Sequence, residues 1–158
     1  MKQPHICLDE TLGVRYAILP GDPARLDRIA QQLEGVRELA YNREFRSLTG
    51  TYRGVPILAV STGIGGSSAG ICVEELHNIG ADTFIRVGTC GGINLKVQSG
   101  DIVVATGAIR FEHTSQEYAP LEYPAVANLD VTNALRQASL AMGKQTHVGV
   151  VQCKDSFY

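Results

Sequence analysis

Two short apolar runs that each end in a glycine-rich loop constrain the fold of this 158-residue chain more than any other feature. The first covers residues 57–61 and enters Thr62-Gly63-Ile64-Gly65-Gly66, and the second covers residues 83–87 and enters Gly88-Thr89-Cys90-Gly91-Gly92. Between them, apolar residues at helical spacing and a terminal Gly80 predict a helix. Buried strands that alternate with helices are typical of the α/β class. The sequence therefore predicts a mixed central sheet flanked by helices.

A further strand, loop and helix are predicted near the N-terminus. Residues 16–19 form an apolar run, and Pro20-Gly21-Asp22-Pro23 predicts a turn in which Asp22 caps a helix. The helix is predicted from apolar positions in an i, i+3, i+4, i+7 pattern, namely Leu26, Ile29, Ala30 and Leu33. Arg25 would lie in its first turn.

The remaining elements are predicted from the same signals. Residues 52–57 indicate a hairpin-like turn, and residues 102–105 and 146–151 read as strands. An apolar repeat between those two strands predicts a helix with Asp130 as its N-cap and Gly143 at its end. The length predicts one domain over residues 1–158.

Composition excludes several function classes. Fourteen Lys plus Arg against sixteen Asp plus Glu give a formal net charge of -2, which provides no general basic field for nucleic acid or anionic membranes. No stretch is long and apolar enough for a membrane span, and the N-terminus lacks the apolar core of an export signal. Four widely spaced cysteines without a C-x-x-C pair favour reduced thiols. We expect a cytoplasmic protein without nucleic-acid or membrane partners.

The loops predict an anion site. In open α/β sheets, ligands collect at the carboxyl ends of strands, where helix N-termini present free N–H groups. Gly21 lets the backbone approach an anion, Arg25 and Arg86 supply charge, and Thr89 supplies a hydroxyl. Each arginine taken alone is also compatible with a solvated or salt-bridged side chain.

Other common sites do not fit. The spacing from Gly63 onward fails the G-x-G-x-x-G dinucleotide pattern, and no Gly-Lys-Ser/Thr phosphate loop is present. The chain has four histidines, His5, His77, His113 and His147. They do not lie at the sequence spacing of transition-metal ligands. Cys90 has no base motif nearby, so packing of a small residue explains it better than nucleophilic catalysis.

Four ordered motifs give the chain a resemblance to the nucleoside phosphorylase family: Pro20-Gly21-Asp22-Pro23-Ala24-Arg25, Asn42-Arg43-Glu44-Phe45, Ser61-Thr62-Gly63-Ile64-Gly65-Gly66 and Arg86-Val87-Gly88-Thr89-Cys90-Gly91. Residues 119–126 and 146–150 are similar to its uridine-cleaving branch. The resemblance covers essentially the whole chain.

The resemblance also implies roles for individual residues. A phosphate pocket would contain Gly21, Arg25, Arg86, Gly88 and Thr89, together with Arg43 from an adjacent subunit. Ribose and base would be contacted by His5 of a neighbouring subunit, Thr89, Cys90, Gly91 and Phe157. A monovalent cation such as K⁺ would lie at the dimer interface with Glu44, Ile64 and Ser68.

By the same resemblance, the protein would be a pentosyltransferase in a homo-oligomer, a hexamer built from dimers. It would use inorganic phosphate as co-substrate and no other cofactor to release the base of uridine and form ribose 1-phosphate. Family chains continue beyond the position of Tyr158, so we expect a domain truncated at its C-terminus. A purine nucleoside phosphorylase, and a catalytically incomplete fragment that binds phosphate or serves assembly, are the alternatives.

Overall fold

The structure is a computed structural model that describes residues 1–156 and Tyr158. The chain divides into two compact units, Met1–Thr89 and Cys90–Tyr158. Each unit combines a sheet with helices, and within each unit the strands pair in both parallel and antiparallel fashion. The predicted α/β class is confirmed.

The first unit holds a five-stranded sheet of order β2-β3-β4-β1-β5. Its strands are β1 (Tyr16–Pro20), β2 (Glu34–Asn42), β3 (Phe45–Tyr52), β4 (Val55–Val60) and β5 (Thr83–Val87). Its helices are α1 (Leu26–Ala30) and α2 (Gly66–Asn78), and 3₁₀ turns cover Glu10–Leu12 and Pro23–Arg25. Strand β1 is parallel to β4 and β5, whereas β2, β3 and β4 form an antiparallel meander.

The core of this unit lies between the sheet and α2. Helix α2 contributes the fully buried Cys72 and Leu76, which pack with Leu58 and Val60 of β4. Gly80 ends this segment with a φ of 104°, a backbone conformation that favours glycine. The predicted strand, glycine loop and helix are confirmed here. They could be predicted because the apolar residues of the helix follow a helical period and a glycine marks its end.

Two expectations for this unit, the end of α1 and the burial of β5, were wrong in part. Helix α1 ends at Ala30 rather than at Leu33, because the chain turns at Gln31 to begin β2; Leu33 still packs near the buried Leu26. Strands β2 and β3 were not predicted. The predicted hairpin-like turn is confirmed at Arg53-Gly54, between β3 and β4. Strand β5 is only half-buried and ends exposed, since it is the last strand of its sheet.

The second unit holds a three-stranded sheet of order β7-β6-β8. Its elements are β6 (Ile102–Phe111), α3 (Thr114–Tyr118), β7 (Ala125–Val126), α4 (Leu129–Ala141) and β8 (Thr146–Lys154). Strand β6 pairs in parallel with β8 and antiparallel with β7, and α4 packs on β6 and β8. The strands predicted at 102–105 and 146–151 are confirmed and extend further, whereas α3 and β7 were not predicted.

The N-cap predicted for α4 was wrong. Asn128, not Asp130, caps the helix, because its side-chain oxygen accepts a hydrogen bond of 3.0 Å from the backbone N–H of Val131. Asp130 lies inside the first turn, where its negative charge is favoured by the free N–H groups.

Candidate functional site

Three loops of the first unit lie side by side at the carboxyl ends of parallel strands. The loop after β4 is tied to the loop after β1 by two backbone hydrogen bonds of 2.9 Å, from Thr62 N–H to the Pro20 carbonyl and from Gly63 N–H to the Gly21 carbonyl. Strand β5 pairs with β1 in a register that places Val87 opposite Pro20. The predicted convergence of loops at this edge is therefore present in the structure.

The guanidinium group of Arg86 lies between two of these glycines. A Cβ atom on Gly21 would be 3.6 Å from Arg86 Nη2, and one on Gly88 would be 2.6 Å from Arg86 Nη1. The space that Arg86 occupies thus depends on glycine at position 88. No ion pair or side-chain hydrogen bond joins Arg86 to another residue within 1–156, and its side chain is exposed. Its forked N–H donors are available for an oxyanion.

Arg25 lies in the 3₁₀ turn that follows β1. Asp22 caps this turn as predicted, since its carboxylate accepts a hydrogen bond of 2.9 Å from Ala24 N–H. Arg25 is half-buried, and within the described part of the chain its side chain also has no hydrogen-bonding or ionic partner. A partly buried guanidinium without a carboxylate is expected to favour an anion.

Arg46 of β3 anchors this turn and was not predicted. Its Nη1 donates to the carbonyl of Pro23 at 3.2 Å, and its Nη2 donates to Asp27 at 2.8 Å and to Glu38 at 2.5 Å. The hydrogen bonds to Glu38, which is the larger cause, and to Asp27 raise the pKa of the Arg46 guanidinium above its ordinary value. Arg46 is therefore fully engaged with protein groups, in contrast to Arg25.

Arg43 occupies the two-residue turn between β2 and β3. Its φ of 54° is in the left-handed region, which costs a non-glycine residue about 1–2 kcal/mol. Its side chain is exposed and makes no hydrogen bond or ion pair to any other residue that the structure describes. Strained backbone at a tight turn is often found at functional positions, and here it presents an exposed cation on the surface.

Glu44, the next residue, belongs to a cluster of oxygen atoms. Its carboxylate accepts a hydrogen bond of 2.7 Å from the hydroxyl of Ser68, which also contacts the carbonyl of Thr62. This Ser68 hydrogen bond is the main cause of a lowered pKa at Glu44. A Cβ atom on Gly63 would lie 2.7 Å from Glu44 Cγ, so glycine leaves room for the cluster. Ile64, the third residue implied for a cation, follows directly in the chain and has an almost fully exposed side chain.

The cluster has the chemistry of a site for a hard cation. Ser68 has one hydroxyl proton but faces two acceptors, the Glu44 carboxylate and the Thr62 carbonyl. Carboxylate, hydroxyl and carbonyl oxygens together suit cations that prefer oxygen ligands. Among residues 1–156 and Tyr158, no three His, Cys, Asp or Glu side chains come together as metal ligands.

His5 is held by contacts that the sequence did not reveal. The buried carboxylate of Glu75 lies 2.5 Å from His5 Nδ1 and accepts a hydrogen bond of 2.8 Å from the backbone N–H of Ile6. The ring of Phe45 packs edge-on against the imidazole, with centroids 6.4 Å apart. One signal could have identified Glu75: it lies on the apolar face of α2, next to Leu76, where a carboxylate needs partners.

The remaining predicted residues are exposed. Gly88 and Thr89 follow β5 at the end of the first unit. Cys90 and Gly91 begin the second unit; Cys90 is an exposed free thiol, and a Cβ atom on Gly91 would meet no atom within 4 Å. Phe157 lies outside the described residues. Helices long and apolar enough to cross a membrane are absent from the described part of the chain.

Comparisons with known proteins identify a family and several relatives. The family described as the Phosphorylase superfamily matches residues 15–158. Uridine phosphorylase from Thermococcus kodakarensis is 49% identical over 156 residues, which cover 99% of this chain and 56% of that protein. Uridine phosphorylase from Treponema pallidum is 51% identical over 154 residues, which cover 98% of this chain and 60% of that protein. Guanosine phosphorylase from Halorubrum lacusprofundi is 43% identical over 157 residues, which cover 99% of this chain and 65% of that protein.

The fold is similar as well. The crystal structure of uridine phosphorylase from Vibrio fischeri matches with a TM-score of 0.95 and 42% sequence identity, over 99% of this chain and 66% of that one. The present chain thus spans less than two thirds of the length of each of these relatives. With a family match over residues 15–158, the chain belongs to the phosphorylase superfamily.

Proposed function

We propose that the protein is a nucleoside phosphorylase that cleaves uridine with inorganic phosphate. The observation that carries the proposal is the guanidinium of Arg86 between Gly21 and Gly88, which has no side-chain partner within residues 1–156 and lies at the edge where three loops meet. Arg25, at the start of the neighbouring helix, is a second cation without a carboxylate among the described residues. Two such arginines beside glycine backbone suit a tetrahedral dianion.

The proposed reaction needs no covalent protein nucleophile. A phosphate oxygen forms a bond to the anomeric carbon of ribose while the bond from that carbon to the base nitrogen breaks. The departing base keeps the electron pair and takes up the proton that hydrogen phosphate loses. The sugar passes through a cationic, oxocarbenium-like state, which the negative charge of the adjacent phosphate stabilises. The arginines would hold the phosphate in line for attack. Hydrolysis by water would not require these arginines.

Phosphate would also be bound by the backbone at Gly21 and Gly88 and by the hydroxyl of Thr89. Arg43 would complete the pocket of an adjacent subunit, as expected for an exposed cation on a tight turn. This role makes a homo-oligomer part of the proposal, as in a hexamer assembled from dimers.

The nucleoside would be bound by Thr89, which also belongs to the phosphate pocket, and by further residues outside that pocket. His5 would contact the ribose 5′-hydroxyl in a neighbouring subunit, and Thr89, Cys90, Gly91 and Phe157 would contact ribose and base. A monovalent cation such as K⁺ would bind Glu44, Ile64 and Ser68. The cluster of oxygens at Glu44 supports this assignment. We further propose that the protein acts in the cytoplasm.

A purine nucleoside is the second candidate substrate. It is favoured by the 43% identity to a guanosine phosphorylase, which is close to the identity found for several uridine phosphorylases. The loops of the first unit serve phosphate and do not discriminate between bases. The phosphate pocket is therefore common to both candidates.

Product analysis tests the proposal. The purified protein would be incubated with phosphate and either uridine or guanosine, and free base and ribose 1-phosphate would be quantified. Uracil and ribose 1-phosphate in equal amounts are expected from uridine. Release of guanine alone would move the assignment to the purine candidate, and free ribose in place of ribose 1-phosphate would refute phosphorolysis.

A further inference from the structure

Glu75 is a buried acid on the apolar face of α2. Its side chain is only 8% exposed, and its neighbours on that face are Cys72, Leu76 and Ile79, which belong to the hydrophobic core. An ionised carboxylate at such a position is costly unless hydrogen-bond donors satisfy its oxygens. Its partners therefore show what the residue does.

Within the described residues, the hydrogen-bond donors to the Glu75 carboxylate come from one short segment near the N-terminus, His5 and Ile6. Oε2 accepts from the backbone N–H of Ile6 at 2.8 Å and from that of His5 at 3.0 Å. Oε1 accepts from the backbone N–H of His5 at 3.2 Å and lies 2.5 Å from its ring Nδ1. One carboxylate thus fixes both the backbone and the imidazole of His5.

The segment is held on its other side as well. Asn42 donates from Nδ2 to the carbonyl of His5 at 2.8 Å, and Phe45 packs against the imidazole. Ile6 is fully buried, so the segment is anchored in the core. The imidazole is the exposed part, with 38% of the His5 side chain accessible.

The contact with Glu75 also favours one of the two tautomers of the neutral ring. A carboxylate that accepts from Nδ1 stabilises the Nδ1–H tautomer, which leaves Nε2 of a neutral imidazole as a hydrogen-bond acceptor. Nε2 makes no hydrogen bond to any other residue within the described part of the chain. An accepting, unpartnered Nε2 on a rigid segment is suited to a hydroxyl group.

We propose that Glu75 is a positioning residue that selects the Nδ1–H tautomer of His5 and directs its Nε2 to the ribose 5′-hydroxyl. The proposal rests on the proposed function, in which His5 contacts that hydroxyl. It adds a residue that acts through His5 rather than on the substrate. It also explains why a carboxylate is placed on an otherwise apolar helix face.

The first test observes the His5 ring directly and requires no turnover. In Glu75→Gln, the amide oxygen accepts from the backbone N–H groups of His5 and Ile6, so its NH₂ group faces Nδ1 and favours the Nε2–H tautomer. The ¹⁵N chemical shifts of the ring, measured on the alkaline plateau where they no longer change with pH, distinguish the two forms. We expect Nδ1–H in the wild type and in Glu74→Gln, an exposed neighbouring control, and a shift toward Nε2–H in Glu75→Gln.

A wild-type ring in the Nε2–H form, or the same tautomer in the wild type and Glu75→Gln, would overturn the proposal. Thermal denaturation of both variants accompanies the measurement. If Glu75→Gln does not fold, Glu75→Asp retains a carboxylate and is expected to retain the Nδ1–H tautomer. Loss of Nδ1–H in a folded Glu75→Asp would also contradict the proposal.

The second test uses uridine and 5′-deoxyuridine, which lacks the hydroxyl. Glu75→Gln is expected to lower kcat/KM for uridine about three- to tenfold, the worth of one neutral hydrogen bond, and to leave 5′-deoxyuridine unchanged. His5→Ala should give the full loss of kcat/KM that depends on the imidazole. Adding Glu75→Gln to His5→Ala should lower kcat/KM for uridine no further. Equal losses for both substrates would show a merely structural role and overturn the proposal.

The two proposals fail in different ways. If the wild type releases no base from either nucleoside, the proposed function fails, while the tautomer measurement still decides what Glu75 does to His5. If the wild type is active but the preference for uridine over 5′-deoxyuridine is the same in Glu75→Gln, the inference about Glu75 is wrong and the proposed function stands.

Discussion

Gly88 offers a way to move Arg86 without removing its charge. An alanine Cβ at this position would lie 2.6 Å from Arg86 Nη1. Gly88 is not among the residues with positive φ, so its backbone accepts alanine without left-handed strain. Arg86 is exposed and has a flexible side chain, so the guanidinium, rather than the backbone, is expected to move. Gly88→Ala should therefore change the phosphate site while leaving the fold intact.

The size of the effect follows from this distance. Nonbonded heavy atoms are normally separated by at least about 3.5 Å, so the guanidinium must retreat by about 1 Å. A net charge-assisted hydrogen bond is worth about 1.5–3 kcal/mol. Displacement distorts that bond rather than deleting the cation, so we expect a loss of about 1.5–2 kcal/mol, which is a 10- to 30-fold weaker phosphate affinity.

Phosphate titrations followed by calorimetry or ³¹P NMR would measure the change. Gly149→Ala is a matched control, because its Cβ would meet no atom within 4 Å and its φ is not positive. In a double-mutant cycle, Gly88→Ala should add little once Arg86→Ala is present, since both act on the same guanidinium. Unchanged phosphate affinity in Gly88→Ala, or full additivity with Arg86→Ala, would refute the reasoning.

Three further predictions concern stability and protonation. Gly63→Ala should lower Tm more than Gly13→Ala. Both glycines have left-handed φ values, of 68° and 59°, but only the Cβ atom added at position 63 would collide with Glu44, which should lower the free energy of unfolding by about 1–3 kcal/mol in addition. Ser68→Ala should raise the lowered pKa of Glu44, as measured by ¹³C NMR. A carboxyl group whose pKa is lowered in the folded state stabilises the fold at pH values above its ordinary pKa of 4.5, and this stabilisation is lost as the pH falls through the pKa of the folded state. Ser68→Ala should therefore also reduce the loss of folding stability at acid pH. Asn128→Ala should cost about 1 kcal/mol in thermal or denaturant unfolding, as expected for an N-cap; no change would contradict the cap assignment.

The elements that were predicted from sequence carry strong local signals. Helix α2 combines a regular apolar repeat with a glycine stop, and β1 and β4 are short apolar runs next to glycine loops. Strand β2 has no such signal, because its first five residues are exposed and two irregularities interrupt its pairing with β3. Its position is set by pairing with a neighbouring strand, which no local pattern encodes.

The same distinction applies to the candidate site. The loops around Gly21 and Arg86 could be predicted because the ends of parallel strands meet at one edge of a sheet. The partners of His5 and Arg46 could not. Glu75 lies 70 residues from His5 in the chain, and Arg46 reaches Pro23 from another strand, so these contacts exist only once the elements have assembled. Long-range hydrogen bonds of this kind depend on register and packing rather than on local sequence.

The most direct test of the central claim is the phosphate dependence of uracil release from uridine, compared among the wild type, Arg86→Ala and Arg28→Ala. Arg28 is an exposed arginine on α1 and serves as the control. We predict that the wild type and Arg28→Ala release uracil only when phosphate is added, and that Arg86→Ala loses this response over the same phosphate range. Uracil release at the same rate without phosphate, or an unchanged phosphate response in Arg86→Ala, would contradict a phosphate site built on these loops.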